Sequence, residues 1–181
     1  QETFTARYTH ETVALAFALT EEAVEDNLYD KISTRYTKAL ARSMANTKQV
    51  KAANILNRGF NSSYLGGDDK ELLATDHTTM AGDVKNELTT AADLNETSLE
   101  QALIDVAGMK DERGLKIALR AVKMIIPVNL QFVAERLMKS AGRVGTADND
   151  INAIKSMGMV PQGYVVNNFL TDTDAWFLKT D

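Results

Sequence analysis

Apolar and polar residues alternate along the first nineteen positions of the chain. The apolar residues occupy even positions and then odd positions: Phe4, Ala6 and Tyr8, followed by Val13, Leu15, Phe17 and Leu19. A period of two predicts β-strand, because successive strand side chains point to opposite faces. The parity change between Thr9 and Thr12 predicts a bulge or bend that swaps the buried face. An ordinary bent hairpin arm has this pattern, and so would a long two-stranded arm without its partner.

A helical pattern begins at Thr20. Its hydroxyl is suited to cap a helix, and Glu21 and Glu22 then lie near the positive end of the helix dipole. Apolar or aromatic residues recur every four positions and later with mixed spacing: Val24, Leu28, Ile32, Tyr36, Leu40 and Met44, then Val50, Ala53, Leu56 and Phe60. A spacing of four exceeds the helical repeat of about 3.6 residues, so the apolar stripe winds around the axis.

Glycine and proline are both absent before Gly59, so the pattern allows a single helix over residues 20–58 that Gly59 ends. Such a helix would lean on different partners along its length, because its apolar stripe winds. The alternative is two helices with a kink near Asn46 and Thr47.

The middle of the chain has weaker patterns. Residues 61–70 are rich in turn-forming residues, and residues 72–92 have no sustained period, which predicts irregular structure or short strands. Thr97-Ser98-Leu99-Glu100 matches a capping box. It predicts a helix that turns these residues toward a core: Leu99, Leu103, Ile104, Val106 and Ala107.

Strand signals follow a charged turn at residues 110–114. Residues 117–119 and 122–126 are strand-like, and Pro127 ends the second of them. An amphipathic helix with i, i+3, i+4, i+7 and i+8 spacing follows and ends before Gly142. Its core positions are Leu130, Val133, Ala134, Leu137 and Met138.

The last forty residues predict three more elements. Residues 150–157 form a short helix that Gly158 ends, and residues 164–166 form a buried strand. Residues 176–178 form a final apolar strand, which we expect to pair with a following segment or with another chain. Together these patterns predict an α+β fold.

Composition narrows the function classes. The 181 residues suit one large domain or two small ones, and 44% hydrophobic content is ordinary for a globular core. The net charge of -5 argues against a protein that wraps nucleic acid through phosphate contacts. Disulfides, thiolate metal sites and cysteine nucleophiles require cysteine, of which the sequence has none. A membrane span and a signal peptide are not predicted.

The candidate catalytic residues are few. Asp76 and His77 are adjacent and could form half of a catalytic dyad or a metal pair, but no third ligand lies at helical or hairpin spacing. A surface or turn-stabilising pair is the simpler interpretation. His10 is predicted to face solvent. No catalytic residue, cofactor site or metal site is therefore assigned.

Other motifs also have simple interpretations. Residues 148–152 resemble the start of a calcium loop, but Ala153 and Met159 occupy its glycine and terminal acid positions, so a helix cap is expected. Residues 171–174 could bind a hard cation weakly, although a solvated turn is simpler. Residues 110–120 carry four cations interrupted by two acids, which favours a solvated charged turn over an anion site. Gly66-Gly67 lacks the context of a phosphate-binding loop.

Three stretches, in this order, resemble the major capsid protein of tailed bacteriophages, close to the Mu-like prophage head-subunit group. They are residues 9–30, with ETVALAFALTEEAVEDNLYD; residues 72–80, LLATDHTTM; and residues 94–178, with LKIALRAVKMIIPVNLQFVAERLMKS, GTADNDINAIKSMG and GYVVNNFLTDTDAWFL. The motifs are long and ordered, but none contains an obligatory chemical residue.

The resemblance implies a tailed-phage major capsid fold, with a long spine helix, a peripheral domain and an α/β axial domain. Residues 1–19 would be the returning strand of an extended loop, and residues 20–71 the spine helix and part of the peripheral domain. Residues 72–93 would connect to the axial domain, residues 94–181. The family's N-terminal arm, first loop strand and C-terminal return are missing from this pattern, and the first residue is Gln1, so we expect a partial chain.

The implied function is that of a non-enzymatic coat subunit. Copies of the chain would form pentamers and hexamers of an icosahedral head around double-stranded DNA, without sequence-specific binding or membrane contact. Scaffold, protease, portal and decoration proteins are possible partners. The head would be assembled in the bacterial cytoplasm, and the chain would reside in the virion capsid.

Two alternatives stay open. An encapsulin-like nanocompartment shell would enclose protein cargo in place of nucleic acid. A small α/β enzyme would use Asp76 and His77, and it would lose activity when His77 is replaced by alanine.

Overall fold

The computed structural model describes residues 4–5, 7, 9–26, 29–143 and 150–181. The chain divides into two compact units. Unit 1 contains residues 1–6 and 56–181, and unit 2 contains residues 7–55. Helices and strands are both present, as the α+β prediction requires.

Unit 2 is built around helices α1 (Glu21–Glu25) and α2 (Tyr29–Asn57), the last two residues of which belong to unit 1. The Thr20 hydroxyl accepts a hydrogen bond from the Ala23 N–H at 3.3 Å, so the predicted cap is confirmed. The prediction of one helix over 20–58 is wrong, because α1 ends at Glu25 and Asp26 is a turn residue. Aspartate and asparagine are weak helix formers, and Asp26 precedes Asn27. Asn27 and Leu28, a predicted stripe position, lie outside the described residues.

The alternative kink at Asn46 and Thr47 is also wrong, because α2 is helical through both positions. The Thr47 hydroxyl donates to the Ser43 carbonyl oxygen at 3.0 Å, four residues earlier. This bond satisfies the hydroxyl within the helix, so the polar pair does not require a break.

The described residues from 9 to 20 form no regular strand, so the strand prediction is wrong for them. Ala6 and Tyr8 lie outside the described residues. A strand requires a hydrogen-bonded neighbour, which alternation by itself cannot supply. Within unit 2, Glu11 pairs with Lys51 at 2.5 Å, and the rings of Phe17 and Tyr36 lie 5.6 Å apart.

Unit 1 contains a sheet of three strands, β3 (Ala121–Ile126), β4 (Tyr164–Val166) and β5 (Phe177–Thr180). Their order in the sheet is β4-β3-β5. β4 runs parallel to β3, and β5 runs antiparallel to it. The expectation that the last strand pairs with a later segment or another chain is wrong, because β5 pairs with β3.

The strand predicted at residues 117–119 is also absent from the structure. Ala118 has a positive φ of 47°, a left-handed conformation that a ladder does not accommodate. The charged turn predicted at residues 110–114 is present, and an isolated bridge between Lys110 and Lys116 closes it.

Helices α3 (Glu96–Ala107), α4 (Gln131–Lys139) and α5 (Ala153–Met157) also belong to unit 1, as does a 3-10 turn at Val128–Leu130. The capping box begins at Asn95, two residues before the predicted position at Thr97. The Asn95 side chain accepts from the Ser98 N–H at 2.9 Å, and the Ser98 hydroxyl accepts from the Asn95 N–H at 3.0 Å. Asn95 therefore provides the cap that was assigned to Thr97.

The core of unit 1 lies where α3, α4 and α5 cover the sheet. Leu99, Met124 and Ile126 are its fully buried large side chains. Its other buried members are Leu94, Leu103, Ala121, Ala134, Leu137, Ile154 and Val160. Trp176 packs against this cluster, and its indole N–H donates to the Ala92 carbonyl at 3.1 Å.

A small hairpin precedes the core elements. It joins strands β1 (His77–Thr79) and β2 (Gly82–Val84), which pair antiparallel. The short-strand prediction for residues 72–92 is therefore confirmed. The tip of this hairpin contacts the charged turn, since the Ala81 N–H donates to the Glu112 carbonyl at 3.2 Å.

Candidate functional site

Exposed apolar side chains are the most extensive feature of unit 2. Val13, Leu15 and Phe17 expose 41%, 52% and 40% of their surface, and they occupy alternate positions. Among the residues that the structure describes, the other exposed large apolar side chains of this unit are Val24, Tyr36, Val50 and Ile55. Contiguous apolar surface on a soluble protein marks an interaction site more often than a single exposed residue does.

Unit 1 also exposes large apolar side chains. Six of them expose more than 60% of their surface: Met80, Ile104, Leu115, Phe132, Ile151 and Met157. The amphipathic helix α4 shows the contrast within one element. Ala134 and Leu137 are buried as predicted, whereas Phe132 is 69% exposed. Covering a ring this large with another protein surface lowers the free energy of the system.

The Asp76–His77 pair predicted from adjacency does not form. The Asp76 carboxylate pairs with Lys70, and Nδ1 of His77 lies 2.6 Å from Oδ2 of Asp68. Consecutive residues of an extended chain point to opposite sides, so Asp76 is poorly placed to reach the neighbouring ring. Sequence reasoning missed Asp68. The signal that could have found it is the turn-rich run Gly66-Gly67-Asp68-Asp69, which returns the chain toward β1.

The Asp68–His77 pair is partly enclosed. The two side chains expose 18% and 21% of their surface, and the hydrogen bond from His77 holds the pKa of Asp68 below its ordinary value. Nε2 of His77 is buried without a hydrogen-bond partner among the described residues. A depression of about 340 Å³ lies beside the pair, lined in part by Thr79, Met80 and Glu112.

Among the described residues, no hydroxyl forms a hydrogen bond with Nε2 of His77. Activation of a nucleophile by His77 needs a hydroxyl or thiol within hydrogen-bond reach of the ring. The Thr79 hydroxyl donates to the Gly82 carbonyl at 2.5 Å, so it is engaged in the hairpin. The pair ties the 66–70 loop to β1, as the turn-stabilising interpretation of His77 predicted, although with a different aspartate.

The other candidate residues from the sequence analysis are not part of the Asp68–His77 site. The Asp174 N–H donates to Oδ1 of Asp172 at 3.3 Å, and the contact between the two carboxyls raises the pKa of Asp174 and lowers that of Asp172. Asp148 and Asn149 lie outside the described residues, and the helix cap expected near them is Asn152. His10 is exposed, as predicted. No cluster of three metal-ligating side chains occurs in the part of the chain that the structure describes.

Replacing Asp68 by asparagine is expected to make the free energy of unfolding depend less steeply on pH in the acid range. The folded-state pKa of Asp68 is lowered, so its contribution is present above its unfolded value of 3.8 and is lost as pH falls through the folded value. Urea unfolding of both proteins between pH 6 and pH 2.5 should give midpoints that converge below about pH 4.

Asp69→Asn provides the matched control, because Asp69 is the exposed neighbour of Asp68. Its midpoint should run parallel to that of the wild-type protein. A constant gap between Asp68→Asn and wild type across the acid range would contradict the assignment of the pair.

Comparison with known proteins decides the class. A family model described as phage capsid protein matches residues 2–181. This chain belongs to that family. Searches of curated proteins and of solved structures gave no match. The capsid protein is therefore a structural, non-enzymatic component of the bacteriophage head, and the predicted virion location is confirmed at that level.

Membership of this family points to contacts between copies of the chain. A capsid protein suggests self-assembly into a shell, which brings copies into repeated contact. Among the described helices, none has both the length and the apolar character that a membrane crossing requires.

Proposed function

We propose that this capsid protein is a major head subunit that assembles into pentamers and hexamers of an icosahedral shell enclosing double-stranded DNA. We further propose that it belongs to the Mu-like prophage head-subunit group and assembles in the cytoplasm of the bacterial host. The family match over residues 2–181 is the observation that carries this proposal.

The distribution of exposed apolar residues supports assembly. A closed shell requires each subunit to contact several neighbours, so interaction surface must occur on more than one part of the chain. Both units expose large apolar side chains, including Phe17 in unit 2 and Phe132 and Met157 in unit 1. Burial of such side chains stabilises a contact by about 25 cal/mol per Å².

The charge balance supports enclosure of DNA without tight binding. The net charge is -5, and strong phosphate affinity would oppose packaging and release of the genome. Scaffold, protease, portal and decoration proteins remain possible partners under this proposal.

We assign domain roles on the same basis. Residues 1–19 belong to an extended loop, residues 20–71 form the peripheral domain with α2 as its spine helix, residues 72–93 are a connection, and residues 94–181 are the axial domain. α2 has 29 residues and is roughly 43 Å long, which suits an element that contacts several neighbours.

The test is particle formation by the product of the complete reading frame, expressed with the head proteins encoded beside it. Sedimentation velocity and electron microscopy should show closed particles or capsomer-sized rings. Nuclease-protected DNA in purified heads should identify the content.

Two results would overturn the proposal. One is a compact monomer at high concentration in the presence of the other head proteins. The other is a closed particle that contains a protein cargo and no DNA, which would assign the chain to a nanocompartment shell.

A further inference from the structure

A short hairpin at residues 109–117, here called the basic hairpin, projects three cations. The Asp111 N–H donates to the Leu115 carbonyl at 2.8 Å, and the Ile117 N–H donates to the Met109 carbonyl at 3.2 Å. These bonds flank the bridge between Lys110 and Lys116, which makes the two lysines a non-hydrogen-bonded pair. In such a pair the side chains project from the same face at the shorter of the two cross-strand distances.

Lys110 and Lys116 are therefore two like charges side by side, and like charges in this position are unfavourable. Both lysines and Arg113 are exposed, and none of the three forms an ion pair within the described residues. The Asp111 carboxylate accepts the N–H groups of Arg113 and Leu115 at 2.9 and 2.8 Å, so it holds the turn. An anion from outside the hairpin would relieve the repulsion between the two lysines.

The other face of the basic hairpin is apolar. Leu115 and Ile117 flank Lys116 and therefore project from the opposite face, where they expose 65% and 45% of their surface. Aliphatic side chains beside cations suit a protein surface better than a phosphate backbone.

An acidic patch on the same unit has the opposite character. It comprises Glu71, Asp83 and Glu87, and none of these three carboxylates forms an ion pair within the described residues. Burial, together with the charges of Glu71 and Asp76, raises the pKa of Glu87. Lys70, a nearby cation, is already paired with Asp76, so it leaves the three carboxylates without a cation partner among the described residues.

The basic hairpin lies in direct contact with the β1–β2 hairpin, which carries Asp83. The bond from Ala81 to the Glu112 carbonyl joins their tips, and a Cβ added at Gly114 would lie 3.2 Å from the Ala81 side chain. Two oppositely charged surfaces held side by side on one unit can each meet the opposite surface of another copy.

We infer that the basic hairpin is an assembly contact, in which Lys110, Arg113 and Lys116 lie against the acidic patch of a neighbouring copy. The apolar face of the hairpin, with Leu115 and Ile117, is covered in the same contact. This inference rests on the proposed function, since it names one surface through which the subunits join.

The test is a charge reversal followed by a charge swap, in the head assembly system described above. The double variant Lys110→Glu/Lys116→Glu should lower the fraction of subunit in particles by about tenfold, because like charges would then meet at every copy of the contact. Adding Glu71→Lys/Asp83→Lys to the same chain should restore particles. Lys38→Glu/Lys48→Glu in α2 changes the net charge equally and is the control for specificity, because Glu71→Lys/Asp83→Lys should not restore any assembly that it loses.

A neutral variant separates assembly from folding. Lys110→Gln/Lys116→Gln removes the repulsion between the lysines, so thermal unfolding of the unassembled chain should be unchanged or shifted upward while assembly weakens. Added salt should reduce the difference between this variant and the wild-type protein, since exposed charges are screened.

The outcomes are distinct. Normal assembly of the reversal variant, a loss that the swap does not repair, or a swap that restores the α2 variant equally would overturn the inference and leave the proposed function standing. Normal particles with reduced DNA content would assign the hairpin to nucleic acid and also overturn it. Failure of the wild-type protein to form particles would overturn the proposed function, and the inference with it.

Discussion

Replacement of Leu99 by alanine is expected to lower the free energy of unfolding of unit 1 by about 3 kcal/mol. Leu99 lies on α3, has no exposed surface and belongs to the central cluster with Met124 and Ile126. The loss combines the transfer free energy of the missing atoms with the cavity they leave. Urea unfolding of the unassembled chain, followed by the fluorescence of Trp176, measures the change, because this single tryptophan packs against the cluster.

Ile104→Ala on the same helix is the matched control. Ile104 is 64% exposed, so its truncation should change the free energy of unfolding by less than about 0.5 kcal/mol. If Ile104 is covered in a particle, the same variant should weaken assembly without weakening the fold. Equal destabilisation by the two alanines would show that the core described for α3 is wrong.

Asn152→Ala is expected to cost about 2 to 4 kcal/mol, although it removes only a small side chain. The Asn152 amide donates to the Leu137 and Ser140 carbonyls at 2.7 and 3.2 Å, and its oxygen accepts from the Lys155 N–H at 3.3 Å. One buried side chain thus satisfies the end of α4 and the start of α5. Without it, the Leu137 carbonyl would remain buried and unpaired.

Two further variants test this account. Asn152→Asp retains the acceptor for Lys155 but presents a carboxylate to two carbonyl oxygens, so it should be at least as destabilising at neutral pH and should recover partly in acid. Asn129→Ala removes an exposed asparagine from the 3-10 turn and should have little effect. A neutral effect of Asn152→Ala in urea unfolding would contradict the double role of this side chain.

The elements of unit 1 were largely predictable, because each has a local cause. The amphipathic spacing of α4 requires one buried side, and the apolar residues 124–126 that complete β3 end where Pro127 removes a donor. Gly158 adopts a left-handed conformation with φ 61°, as its position after a short helix suggested.

The errors have a different origin, since they depend on contacts between distant residues. Alternation at residues 13–19 could not reveal that no described neighbour pairs with this segment. The pattern at residues 117–119 could not reveal the positive φ of Ala118, because apolar periodicity carries no information about this backbone angle. The capping box was misplaced because Asn95 and Thr97 are both good caps, and only the bonds of Ser98 distinguish them.

The candidate site was less predictable than the fold. His77 was found as one of two histidines, but its partner Asp68 is nine residues away and is brought close by a loop without a periodic pattern. The opposed lysines of the basic hairpin were missed for a similar reason. Residues 110–120 read as a mixture of charges, and only the bridge shows that Asp111 holds the turn while Lys110 and Lys116 project together.

The position of β5 in the sheet has a consequence for synthesis of the chain. β3 is the central strand, and its two neighbours come from residues 164–166 and 177–180, about forty and fifty-five positions later. While a ribosome adds these residues over several seconds, both edges of β3 and its apolar side chains lack their native cover. The three-stranded sheet cannot be complete until Thr180 has left the ribosome, so a nascent chain lacks the finished core of unit 1 for as long as it is being made.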